Sequence, residues 1–133
     1  MLSFRSIVMC DEIRTETTGK DILIGVYSGD ILVSSFPAVI AVAFWVELEN
    51  SDEDIGVRKY ELRVGVANGQ PVHFNVMADI RAAGTSVLRI PTIHIPVPAE
   101  TVISLELLDG ENWRVLKSKK VLLGELKPPG PPH

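Results

Sequence analysis

The sequence predicts an all-β protein, an antiparallel β-sandwich of about eight strands, immunoglobulin-like or C2-like in type. Three observations carry this reading. Apolar residues recur with a period of two through most of the chain. Valine and isoleucine dominate the apolar positions, and no ten-residue window sets an apolar stripe at helical spacing. Turn signals built on Gly, Asn, Asp and Pro recur at intervals of roughly 8–15 residues, the rhythm of a sandwich or, as the lesser option, a barrel.

The elements follow in order. "FRSIVMCDEIRTE" (4–16) and "DILIGVYS" (21–28) flank "TTGK", where Gly19 suits a tight turn, so they form a first hairpin. "VIAVAFWVELE" (39–49) is a long strand that ends at the loop "NSDED". In "VRKYELRVGVA" (57–67), Tyr60, Leu62, Val64 and Val66 share one face, and Lys59, Glu61 and Arg63 share the other. In "VHFNVMADIRA" (72–82), Val72, Phe74, Val76, Ala78 and Ile80 alternate with His73, Asn75, Met77, Asp79 and Arg81. Between these two strands, Asn68-Gly69 is the dipeptide a type I′ hairpin turn prefers, because both central residues need positive φ.

"LRIPTIHIPV" (88–97) contains Pro91 and Pro96 and is followed by Pro98. Proline cannot donate to a ladder, so this is an edge strand or a bulged one. "TVISLELLD" (101–109) puts Ile103, Leu105 and Leu107 on one side; the turn "DGEN" leads to "WRVLKSKKVLLGEL" (113–126), with a break expected near Ser118. Residues 1–126 therefore make one domain. The proline-rich end 127–133 is expected to be an extended or disordered tail.

The bulk numbers narrow the function classes. The chain has 133 residues, 46% hydrophobic and 23% charged, which suits a single globular domain. Its net charge of −4 argues against a general nucleic-acid binder, whose affinity rests on basic surface. No run approaches the length of a membrane span, and the N-terminal stretch lacks the apolar core of a signal peptide. The single cysteine, Cys10, permits no internal disulfide and points to a reducing, cytoplasmic setting.

The densest polar stretch is "MCDEIRTETTGKDILIGVYSGDI" (9–31). On a strand, Cys10, Glu12, Arg14 and Glu16 share one parity, and the three charged residues can form a ladder of surface ion pairs. Asp11 shares the other parity with Met9 and Ile13 and so is expected to point at the core. There it needs backbone donors, Arg14 or Lys20, unless a bulge turns it out. The leading reading is a polar brace for the first hairpin.

This stretch, followed by "SSFPAVIAVAFWVELE", resembles the N-terminal half of a group of small bacterial proteins catalogued as a domain of unknown function. The matching positions are Cys10, Asp11 and Arg14, the Gly19-Lys20 turn, the Ile24-Gly25-Val26-Tyr27 strand and the Phe36-Pro37 step. The resemblance covers residues 7 to 49. It implies no activity. It raises Asp11, Arg14, Lys20 and Tyr27 as a structural or binding cluster.

Other chemistries find little support. Cys10 needs a base to act as a nucleophile. Of the histidines, His73 lies on a polar strand face, His94 on a proline-broken strand and His133 at the end of the tail. No spacing of His and Cys suits a transition metal, no phosphate loop occurs, and no cofactor is expected. The acidic loops carrying Asp52 and Asp54, and Asp109, leave calcium as an alternative, since a C2-like sandwich collects such loops at one end.

The strand at 39–49 is apolar on both sides. Ile40, Val42, Phe44, Val46 and Leu48 make one face; Val39, Ala41, Ala43 and Trp45 make the other. A strand of this kind is covered on both sides. Self-association through Val39, Ala41, Ala43 and Trp45 is the first expectation, cover by the chain itself the second and a foreign protein partner the third. The chain thus reads as a non-enzymatic β-sandwich binding or assembly module. The alternative is a C2-like module that uses calcium to approach a membrane or a partner.

Overall fold

The computed structural model describes residues 3–67 and 69–124. Nine strands follow one another: β1 (Ser3–Thr15), β2 (Asp21–Val26), β3 (Ile31–Val33), β4 (Ala38–Asn50), β5 (Gly56–Val66), β6 (Val72–Ile80), β7 (Gly84–Val97), β8 (Thr101–Asp109) and β9 (Asn112–Leu123). Among the described residues, the only helical turn is a 3-10 turn at Asp52–Asp54. The ninth strand beyond the eight expected is β3, three residues long and too short for a periodic signal.

The strands form two packed sheets, ordered β2-β1-β4-β7 and β3-β9-β8-β5-β6. All pairings are antiparallel except β3 with β9. With β2 and β3 set aside, β1-β4-β7 against β6-β5-β8-β9 is the A-B-E and C′-C-F-G order of an immunoglobulin-type Greek key. The core lies between the sheets. Met9, Val42, Phe44, Leu48, Ile90 and Val97 enter from the first; Leu62, Val64, Ile103, Leu105 and Val121 enter from the second. On β4, β5 and β8 these are the positions the period of two selects; on β7 the buried parity changes between Ile90 and Val97 at the bulge.

The first hairpin turn follows its local signal. The β1–β2 turn closes through Gly19 N–H to the Glu16 carbonyl (2.9 Å) and Glu16 N–H to the Lys20 carbonyl (2.7 Å), with Gly19 left-handed at φ 88°. That is a type I turn followed by a glycine bulge. At the β5–β6 turn, Asn68 lies outside the described residues. The Gly69 N–H donates to the Val66 carbonyl at 3.1 Å. The β5–β6 ladder stops at Val64↔Val72, while β5 continues to Val66 because β8 pairs with it on the other side.

β7 is both an edge strand and bulged: Val42 faces Ile93 while Phe44 faces Ile90, and Pro91 sits in the extra length. β9 does not break at Ser118, which pairs with Ser104. The irregularity is at Leu116, an extra residue between Val115 and Lys117. The expected tail, 127–133, lies outside the described residues.

Candidate functional site: a hairpin strapped over the first sheet

The candidate cluster is organised by a change of partner within β1. Its first half pairs with β4 as far as Cys10↔Ala43, and its second half pairs with β2 from Cys10↔Val26 onward. Beyond Cys10 the chain leaves the plane of the sheet and crosses the outer face of β4 to reach β7. Four hydrogen bonds mark the crossing. Thr92 Oγ1 on β7 donates to the Asp11 carbonyl (2.7 Å), and the Tyr27 hydroxyl donates to the Ala41 carbonyl (2.8 Å). Trp45 Nε1 and Arg89 Nε donate to the Asp21 carboxylate at 3.0 and 2.8 Å.

Asp11 is therefore exposed and does not enter the core with Met9. Of the two outcomes the sequence left open, an irregularity of the strand turns Asp11 out: the parity counted from Met9 ends where β1 changes partner. Asp11 instead accepts from the Tyr27 hydroxyl at 2.7 Å. Gly25 makes room for this contact: it is left-handed at φ 67°, and a Cβ there would run into the Asp11 carboxylate. One hydroxyl proton thus stands between two acceptors, the Asp11 carboxylate and the Ala41 carbonyl, and the charged acceptor is the stronger. Burial first, then the Asp11 contact, pushes the Tyr27 hydroxyl pKa well above its ordinary value.

Of the four expected cluster residues, Asp11 and Tyr27 meet; Arg14 and Lys20 do not join them. Arg14 pairs with Glu12 at 3.3 Å on the exposed side of the hairpin, and Lys20 is exposed in the turn. The sequence reading missed Asp21, Arg89 and Thr92. Asp21 carries the strongest electrostatic feature of the hairpin. Hydrogen bonds from Arg89, then Trp45 and Thr15, hold its carboxyl pKa down to about 2. Nothing in local spacing points to a contact across 68 residues.

The hairpin also supplies cover for the second face of β4. Cys10 and Ala43 pair on that outer face, yet both are 0% exposed. Ala41 and Trp45 are half-buried, and Val39 alone remains 68% exposed. Burial raises the Cys10 thiol pKa, and its Sγ points to the Glu12 carbonyl at 3.6 Å. That is the environment of a small packed residue rather than of an activated nucleophile.

In the loop after β4, Asp54 serves structure. Asp54 caps the 3-10 turn by accepting from the Ser51 N–H (2.8 Å) and hydroxyl (3.0 Å), and the Ser51 N–H bond lowers its pKa. Among the described residues, no three His, Cys, Asp or Glu side chains group so as to hold a metal ion, so Asp52, Asp54 and Asp109 are not brought into one site.

The outer face of the second sheet is open. Arg63 on β5 bonds Glu106 on β8 through Nε at 2.7 Å, and its guanidinium lies 4.2 Å from the Trp113 ring centroid. His73 meets Trp113 edge-on with centroids 5.5 Å apart. A depression of about 340 Å³ lies alongside, lined in part by Arg63, Gly65, Ser104 and Glu106.

No family model matches the chain, and neither does any curated protein or solved structure. Among the described residues, no helix is long and apolar enough to cross a membrane.

Proposed function

We propose that the chain is a non-catalytic recognition module that binds another protein through the outer face of its second sheet. The observation that supports this is the Trp113 stack, with Arg63 over its ring and His73 at its edge. Tryptophan and arginine dominate the energetics of protein interfaces, and here both stand on a rigid sheet. The single thiol is sealed and the Tyr27 hydroxyl is committed to two acceptors, which favours binding over turnover at the N-terminal cluster. A reducing, cytoplasmic setting fits a free buried cysteine. Under this reading the Cys-Asp…Gly-Val-Tyr pattern of the bacterial group marks the crossing hairpin, a structural element. The calcium alternative gains no support from Asp54, which is spent as a cap.

The test is affinity capture with the intact chain and a folded Trp113→Ala variant. A defined partner retained by the natural chain and lost by the variant supports the reading. A partner held equally by both overturns it. So does robust hydrolysis of a substrate that Asp11→Asn or Cys10→Ser abolishes.

A further inference from the structure

We propose that the β1–β2 hairpin is a hinged strap that opens as a unit while the sandwich stays folded, with Asp21 as its latch and Cys10 beneath it. This stands apart from the recognition surface, which lies on the other sheet.

The hairpin has no core of its own. No residue from Asp11 to Val26 is buried, whereas both flanks of this segment contribute buried residues. A two-stranded hairpin with no buried side chain is marginal in isolation, so its closure rests on what ties it down. On the body of the sandwich those ties are the side-chain hydrogen bonds to the Asp21 carboxylate, to the Asp11 carbonyl and from the Tyr27 hydroxyl to the Asp11 carboxylate. The partner switch of β1 and the left-handed residue of β2 stand at one level. Gly25 is left-handed there, and its neighbour across the ladder is Asp11, the first residue past the partner switch. Rotation at this level lifts the tip, with Asp21, away from Trp45 and Arg89 without breaking the β1–β4 ladder. It uncovers Ala41, Ala43 and Trp45, together with the thiol that is fully enclosed in the closed form.

Cys10 is the only cysteine, so its alkylation by iodoacetamide reads strap opening without ambiguity. The rate is followed on the full chain at constant neutral pH, across low urea concentrations. The expected result is labelling whose urea dependence is far shallower than that of global unfolding. Asp21→Asn and Arg89→Gln each raise the rate about tenfold or more, with the melting of the sandwich little changed, since each removes a charge-assisted bond. Labelling of the natural chain with the full urea dependence of global unfolding overturns the proposal. So does an Asp21→Asn rate equal to that of the natural chain. Should Asp21→Asn unfold the whole domain, the urea dependence of the natural chain alone decides.

Discussion

The two outer faces of the sandwich meet solvent in opposite ways. On the second sheet, β5, β6 and β8 turn out residues such as Lys59, Glu61, Arg63, His73, Asn75 and Glu106, and this face needs no cover. On the first sheet, β4 turns out Val39, Ala41, Ala43 and Trp45, and the chain bends its own N-terminal hairpin over most of them. A sheet whose outer residues are polar can stop at two layers. One whose central strand is apolar on both sides recruits a third, and here the third layer is local in sequence and thin. The residues of the hairpin that face the sheet are therefore few and specific: a glycine for the bend, a tyrosine and an aspartate for the ties.

Two glycines test this contrast most strongly. Gly25 and Gly110 have nearly the same left-handed φ, 67° and 65°. Gly110, in the β8–β9 turn, has open space where a Cβ would stand, while Gly25 has the Asp11 carboxylate. Gly110→Ala should cost only the left-handed strain, about 1 kcal/mol. Gly25→Ala should cost about 2 kcal/mol or more, because the same strain is joined by displacement of Asp11. Thermal melting of the two variants measures the gap, and equal losses would mean that the Asp11–Gly25 contact does not matter.

Acid is the next lever. The Asp21 carboxyl has its pKa lowered from 3.8 to about 2. A group depressed in the folded state contributes stability that is fully present above its unfolded pKa and is lost as pH falls through the folded one. The latch should therefore hold above about pH 4 and weaken progressively towards pH 2. Trp45 donates to Asp21, so its fluorescence should change over that interval in the natural chain and not in Asp21→Asn. A transition of the same midpoint in both proteins would sink the assignment.

These contrasts also show what the sequence could and could not reveal. The period of two located the core-facing sides of β5, β6 and β8 and both sides of β4, because side-chain alternation is local and survives any strand order. It signalled that the Trp45 face needs a cover without naming that cover. The cover depends on where β1 stops pairing with β4, and that point is set by tertiary geometry. The same limit left Asp11 undecided between core and solvent: alternation counted from Met9 holds only while the strand keeps one partner. The sequence reading grouped Asp11 and Tyr27 with Arg14 and Lys20, and only the first two meet. Asp21, Arg89 and Thr92 were not legible, since hydrogen bonds between residues 68 or 81 positions apart leave no trace in local spacing.

A finer comparison uses the hydroxyl that joins hairpin and sheet. Tyr27→Phe keeps the ring and removes the one proton shared by Asp11 and Ala41, so it should cost about 1 kcal/mol. The loss should appear mainly as faster Cys10 labelling. A loss of sandwich stability with unchanged labelling would place Tyr27 in the core rather than on the strap.

The smallest effect belongs to the open face. Arg63 and Glu106 retain 30% and 21% side-chain exposure, and water competes for both partners. Glu106→Gln should cost about 0.5 kcal/mol in melting, as expected for a partly exposed pair whose amide oxygen can still accept from Arg63, and should leave Cys10 labelling untouched. Arg63 keeps its place over Trp113 in that variant, because the ring attracts the guanidinium independently of Glu106. If Glu106→Gln instead destabilised the domain as much as Gly25→Ala, the second face would be part of the packing. The division between one strapped face and one presenting face would then fail.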